Sequence, residues 1–363
     1  MRRISAALTP LILLAAACGG GGGGGGSSTP PTQATTYYVR ESGNDSNDGL
    51  SADTAFRTID KATGDLGPGD VVYVGAGAYP AAVNSNPRPI ATVDILDAVG
   101  TAAQPIQIVA DTTGVHTGDA GEVMIDGKDV ALAVRVSRSS FVTIDGFHIE
   151  RGKGDNGGGI QVRNLSDHVT VRNCIITDNF DGIRVESSTD VLLFNNLIYA
   201  NSSRGIRLSG SQRARVINNT ISDNQDRGLS IGGANAQGVG STGAEVKNNI
   251  IQDNSNVSVA VDDGPPTSLA GYDGDYNLVF YDGLPDQTKT YRPTTIAGDH
   301  DLNVDAQFTG GADTFALDQA NSPAVDAGTS ALGGDLVAAL VARSTALGGA
   351  VDMPPVDLGY HAL

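Results

Sequence analysis

Through the middle of the chain, apolar and polar residues alternate in short runs that recur with a fixed period. Gly159–Ile160, Gly182–Ile183, Gly205–Ile206 and Gly228–Leu229 stand 23 residues apart. Asn173, Asn196 and Asn219 keep the same step, continued by Asn249 after a seven-residue insertion. Asp178, Asn201, Asn224 and Asn254 form a third ladder. After each Gly comes an alternating run (160–162, 183–185, 206–208, 229–231), then a second (169–171, 192–194, 215–217) and a third, such as Cys174 to Ile176. Runs this short, β-branched and punctuated by Gly, Asn and Asp, read as strands and not as helix. Three ladders on one period predict a solenoid. Coils stacked about 4.8 Å apart pair their backbones with the coils on either side, which makes a single-stranded parallel β-helix of all-β class. Glu122 to Gly127 and Phe141 to Gly146 read as earlier, less regular coils, for roughly eight to ten coils in all.

A coil stack has two open ends, which expose core and sheet edges unless covered. Residues 54–66 carry Phe56, Ile59, Ala62 and Leu66 at helical spacing and suit an N-terminal capping helix. Leu336, Leu340 and Val341 share one face of a short helix within an irregular C-terminal segment. The expected division is a leader over 1–17, an anchor and linker over 18–36, the β-helix with its cap over 37–300, and a C-terminal capping segment over 301–363.

Composition narrows the partners. The formal net charge is −18, and removal of a leader carrying Arg2 and Arg3 makes it more negative. Nucleic acid is excluded as a partner, because neutralising phosphates needs a basic surface. Arg2 and Arg3, then the apolar stretch Leu8 to Ala17, form a secretory signal too short to span a membrane. Leu14 to Cys18 resembles a bacterial lipoprotein signal, with Ala15 where Leu is usual, so Cys18 is the expected lipidation site. Gly19 to Thr36 cannot form a core and reads as a tether, reaching roughly 20–25 Å. The expected location is the outer membrane or cell surface of a bacterium, as a monomer held to the membrane by the lipid anchor only. Cys174 is then the one cysteine left, which excludes an intramolecular disulfide and a metal site built on Cys.

Tyr37 to Val39, Gly43 to Gly49, Phe56 to Ile59 and Gly67 to Val74 together resemble the opening of secreted right-handed parallel β-helix proteins. That group includes pectate-lyase-like polysaccharide lyases and mannuronan epimerases. Asp275 to Leu278, Ser322 to Gly328 and Asp357 to Tyr360 resemble the closing segment of bacterial surface members. The resemblance implies a right-handed coil stack over about residues 37–360 and a substrate cleft on the strand that follows each ladder Gly. It does not specify a reaction, because one fold hosts many.

On that strand the aliphatic residues point inward and their neighbours outward. Two outward stacks follow: Gln161, Arg184, Arg207, Ser230, and Arg163, Glu186, Ser209, Gly232, with Arg204 and Arg227 at the rim. A cationic stripe on so acidic a protein suits an acidic polysaccharide, since the planar guanidinium binds a uronate carboxylate bidentately. The plainer reading balances Arg184 and Arg207 internally, with Glu186, Asp181 or Asp226. Elimination beside a uronate carboxylate needs that charge neutralised, then a base and an acid. Arg184 and Arg207 are the candidates to neutralise and Lys153 the base, provided its pKa is lowered. Gln161, Arg163, Glu186, Arg204 and Arg227 are the candidate substrate-binding residues. The sequence lacks the Asp-Pro-His-Glu run of the epimerases and the Asp cluster that holds Ca²⁺ in pectate-lyase-like enzymes. No metal ligand set is assigned. Ca²⁺ remains open as a structural ion at Asn44 to Gly49, Asp262 to Gly264 or Asp273 to Asp275, where Asx turns explain the sequence as well. His148 reads as an exposed strand residue. Two functions follow: a surface protein that recognises polysaccharide, with lyase activity as its catalytic form, or a non-catalytic structural or adhesion protein.

Overall fold

The computed structural model describes residues 33–82, 90–129, 132–153, 157–232, 238–261, 268–281, 290–309, 315–346 and 351–362. The expected leader, Cys18, most of the linker and the Asp262 to Gly264 loop lie outside them. Three parallel sheets of nine, eight and eight strands are built from residues 36–292. Each coil gives one strand to each sheet in turn. Val71–Val74 lies in the first, Gly77–Pro80 in the second and Ala91–Leu96 in the third, before Ile106–Ala110 returns to the first.

Burial follows the alternation. Ile160, Val162, Ile183, Val185, Ile206 and Leu229 are fully buried in one aliphatic core continuous from Val39 to Ile296. On the third sheet the pairings Ile183 with Ile206 and Ile206 with Leu229 keep the 23-residue step. The ladder glycines have an ordinary backbone and no room for a side chain: a Cβ on Gly205 would lie 2.4 Å from Ile221 Cγ2 and 2.7 Å from the Gly228 carbonyl oxygen.

The asparagine ladders differ from the expected register by one residue. Ile175 pairs with Leu197, so Cys174 and not Asn173 heads the buried column Asn196, Asn219, Asn249, Asn277. Each Oδ1 accepts the backbone N–H and the Nδ2 of the preceding coil, as Asn219 does from Asn196 at 3.0 Å for both. Asn173, Asn195, Asn218 and Asn248 form a second column at positive φ, turning the chain from the first sheet into the second, a conformation Asn tolerates better than most residues. The other column is Asn179, Asn201, Asn224 and Asn254, displacing Asp178. Cys174 is buried, and burial pushes its thiol up to about 12, so it is inert core.

The N-terminal helix is a single turn, Ile59–Ala62, started by Thr58 Oγ1 accepting from the Lys61 N–H, and it buries Ile59 and Ala62. The C-terminal segment lies along the flanks of the stack. Ala306, Leu317, Ala324 and Leu358 cover Ile250 and Leu278 on the second sheet. Leu332, Leu340 of the helix Gly334–Leu340, and Val356 cover Phe194 and Ile217 on the first. Among its described residues the segment places no such apolar cover on the third sheet. No helix of the described residues is long and apolar enough to cross a membrane.

Candidate functional site

The outer face of the third sheet carries the stack expected from the sequence, with Gln161 beside Arg184, Arg184 beside Arg207 and Arg207 beside Ser230. Asp94 and Arg135 extend it toward the N-terminus as a bonded pair. The structure brings Gln161, Arg163, Arg184, Glu186, Arg204, Arg207 and Arg227 onto neighbouring strands or their rims. It is less open than alternation implies: Gln161 is only 3 % exposed. The cause is the long side chains around it, since Gln161 Nε2 donates to Glu186 Oε2 at 3.3 Å and Arg163 Nη1 donates to Gln161 Oε1 at 3.3 Å.

The charges do not balance evenly. Glu186 holds Arg184, accepting from Nε at 2.8 Å with Nη2 2.5 Å from the same oxygen. Arg204 Nε lies 3.4 Å from Asp226 Oδ2, close enough for an ion pair but not aligned as a hydrogen bond. Asp181 is fully buried and spends Oδ1 on the Arg204 backbone N–H at 3.1 Å. Arg227 reaches Ser230 Oγ at 3.3 Å, and its Nε, like that of Arg163, is buried without a partner. Arg207 has neither a hydrogen bond nor an ion pair among the described residues. Burial lowers its pKa, and the neighbouring Arg184 and Arg204 lower it further. Like charges one strand apart repel, so this guanidinium is the least compensated point of the stripe.

Lys153 does not suit a base. Its Nζ donates to Asp178 at 2.7 Å and lies 3.3 Å from Asp129, acids on the coils to either side. The hydrogen bond to Asp178 raises its pKa, against burial, and Asp129 adds to the rise. An ammonium held charged at neutral pH has no lone pair to take a proton.

The candidate Ca²⁺ loops that are described spend their carboxylates on the protein. Asp45 accepts from the backbone of Arg57 and Thr58, and Asp48 from Leu50 and Thr54. Asp273 bonds Lys247, and Asp275 bonds His300. Two other groups bring their donor atoms within 4.8 Å of one another: Asp167, His168, Asp190 and Asp326, Asp352, Asp357. Asp190 already binds Arg213 through both oxygens, and Asp352 and Asp357 bond His361 and Gln319.

Residues 132–272 match the family model described as the right handed beta helix region. The chain folds as a right-handed parallel β-helix. Its coil stack is similar to that of pectate lyase Pel9A, at 15 % identity over 69 % of this chain and 64 % of that one, with a TM-score of 0.51. It is also similar to the Dettilon tailspike protein, at 12 % identity over 66 % of this chain and 50 % of the other, with a TM-score of 0.43. An alginate lyase from Paenibacillus sp. shares 15 % identity over 74 % of this chain and 95 % of its own, with a TM-score of 0.43. The chain thus spans less than two thirds of the length of the first two. No curated protein matches the sequence.

A groove of about 590 Å³ follows the corner between the first and second sheets, lined by Tyr73, His116, Glu122, His148, Arg343 and Tyr360 among others. These residues lie up to 287 positions apart, so no period links them.

Proposed function

We propose that this is an exported surface protein that recognises an acidic polysaccharide on the third sheet. Arg207 carries the reading: a half-buried guanidinium flanked by Arg184 and Arg204, with no anion of its own among the described residues. A chain of uronate carboxylates laid across strands about 4.8 Å apart would meet Arg207 first and reach Arg163 and Arg227 on either side. Glu186 keeps Arg184 extended over Gln161, so part of the surface is ordered before ligand arrives, which lowers the cost of binding. The reading is recognition and not elimination at this face, because Lys153 cannot supply the base.

The test is calorimetric titration with polygalacturonate and alginate, alongside the ultraviolet absorbance of the double bond that elimination would create. Arg184→Ala with Arg207→Ala should weaken binding by about tenfold to a hundredfold, the scale of charged hydrogen bonds, with flat absorbance throughout. Unchanged binding in the double variant overturns the reading. An absorbance rise lost in that variant would make the face catalytic. Export and the lipid anchor belong to the same proposal. Cys18→Ser should move the protein from the membrane fraction to the soluble fraction, and a variant still pelleting with membranes removes the anchor.

A further inference from the structure

The corner groove differs from the third sheet in what builds it. Its floor is the turn from first to second sheet, where Gly146 and Asn173 succeed one another, and the C-terminal segment supplies Arg343 and Tyr360. Its volume of about 590 Å³ is that of a small-molecule site.

Three observations define what fits. At one end the rings of Tyr73 and His116 stack at 3.6 Å and 7°, with Tyr38 continuing the aromatic surface at 6.2 Å. His116 is exposed, so the pair offers a flat face of the kind that packs against sugar C–H groups.

The acids of the groove are already occupied. Asp111 accepts from the backbone of His116 and Thr117, Glu122 accepts from His148 Nδ1 at 2.5 Å, and Asp145 accepts from Arg172 and Asn173. Arg343 is half-buried and has no side-chain hydrogen bond or ion pair among the described residues; burial lowers its pKa, against the pull of Asp145. It is the charge in the groove that lacks a partner.

His148 is the third. Nδ1 bonds Glu122, so Nε2 is the ring nitrogen left to meet a ligand. That Nε2 is buried and has no partner. Buried polar atoms are ordinarily satisfied, so one on a groove-lining residue calls for a partner such as a hydroxyl, which can donate or accept.

We infer that the groove is a second binding site, for a short acidic saccharide. Its ring lies on the Tyr73–His116 stack, its carboxylate pairs with Arg343, and a hydroxyl bonds His148 Nε2. Neutral sugars lack the group that Arg343 requires, and simple anions lack the face that the stack requires. The site is independent of the proposed third-sheet function, since the two share no residue.

The test is calorimetric titration of the full chain with trigalacturonate, using cellotriose and acetate as controls. His116→Ala, an exposed loop change that leaves the coils intact, and Arg343→Met should each weaken trigalacturonate binding at one site about tenfold or more. Arg184→Ala with Arg207→Ala should leave that site unchanged. Cellotriose and acetate should give no saturable heat. If Arg343→Met lowers the melting temperature, His116→Ala alone decides. Trigalacturonate binding untouched by His116→Ala overturns the inference, as does equal binding of cellotriose. Loss of binding only in the Arg184 and Arg207 variant would uphold the third-sheet reading and remove this one.

Discussion

The residue packed most tightly between coils is the ladder glycine at the start of four third-sheet strands, 159, 182, 205 and 228, and the reason is steric. Gly182 and Gly205 have ordinary backbone angles, so conformational freedom does not explain them. A Cβ on Gly182 would lie 2.6 Å from both the Gly205 carbonyl oxygen and Ile198 Cγ2. The asparagine columns add to the constraint, because the same Cβ would meet Asn201 Nδ2 at 3.0 Å. A methyl there must push on backbone and on a buried amide that already donates to Ile176, Tyr199 and Asn224. Gly205→Ala should therefore destabilise by about 1–3 kcal/mol, the cost of overpacking a filled core. Gly64→Ala, whose nearest neighbours stand 3.8 Å away, should fall within about 0.5 kcal/mol of the parent. Thermal melts of the two variants check this, and equal melting temperatures would show that the ladder glycines have another cause.

At the scale of elements, the period was legible in the sequence because four consecutive third-sheet strands, over 158–232, repeat both their inward aliphatics and that steric glycine. The asparagines misled by one position for a physical reason. Asn195–Asn196, Asn218–Asn219 and Asn248–Asn249 are doublets whose first member turns the chain and whose second bonds along the stack. Asn173 is the first member of a doublet whose second is Cys174, so counting asparagines alone assigned it to the wrong column. The coil from Thr170 to Leu192 is 22 residues long, and no glycine marks that shortening. The arginine stripe was legible, since register alone determines which side chains stack. Its imbalance was not: Glu186 pairs along its own strand with Arg184, which leaves Arg207 unmatched on the next. The caps were half legible. Apolar spacing located the helices Ile59–Ala62 and Gly334–Leu340, but the second turned out to flank the first sheet. The corner groove stayed hidden because the chain returns to it from the far end, bringing Arg343 and Tyr360 beside His148.

Over the whole molecule, two electrostatic effects oppose each other as pH falls. The net charge of −18 repels itself, and protonating carboxylates relieves that repulsion. Against this stand carboxylates that the fold holds in their ionised form. The hydrogen bond from Arg40 lowers the pKa of Asp119. Burial pushes Asp126 up, but Lys128 and Arg151 outweigh it, and the backbone and hydroxyl of Thr117 do the same for Asp111. A carboxyl whose folded pKa lies below its unfolded value, about 3.9 for Asp, binds fewer protons when folded. Its contribution is complete above the unfolded value and is lost as pH falls toward the folded one. The two effects therefore act in different windows. General relief of repulsion begins as the first exposed acids titrate, while the loss of Asp111, Asp119 and Asp126 comes below about pH 4. The melting temperature should hold level or rise slightly from neutral pH toward about pH 5, then drop below about pH 4. Asp119→Asn should cost a degree or a few at neutral pH, since its pair with Arg40 is partly exposed, and should make the acid drop shallower. Melting curves at low ionic strength decide it: a temperature that keeps rising down to pH 3 would mean that relief of self-repulsion outweighs what Asp111, Asp119 and Asp126 lose.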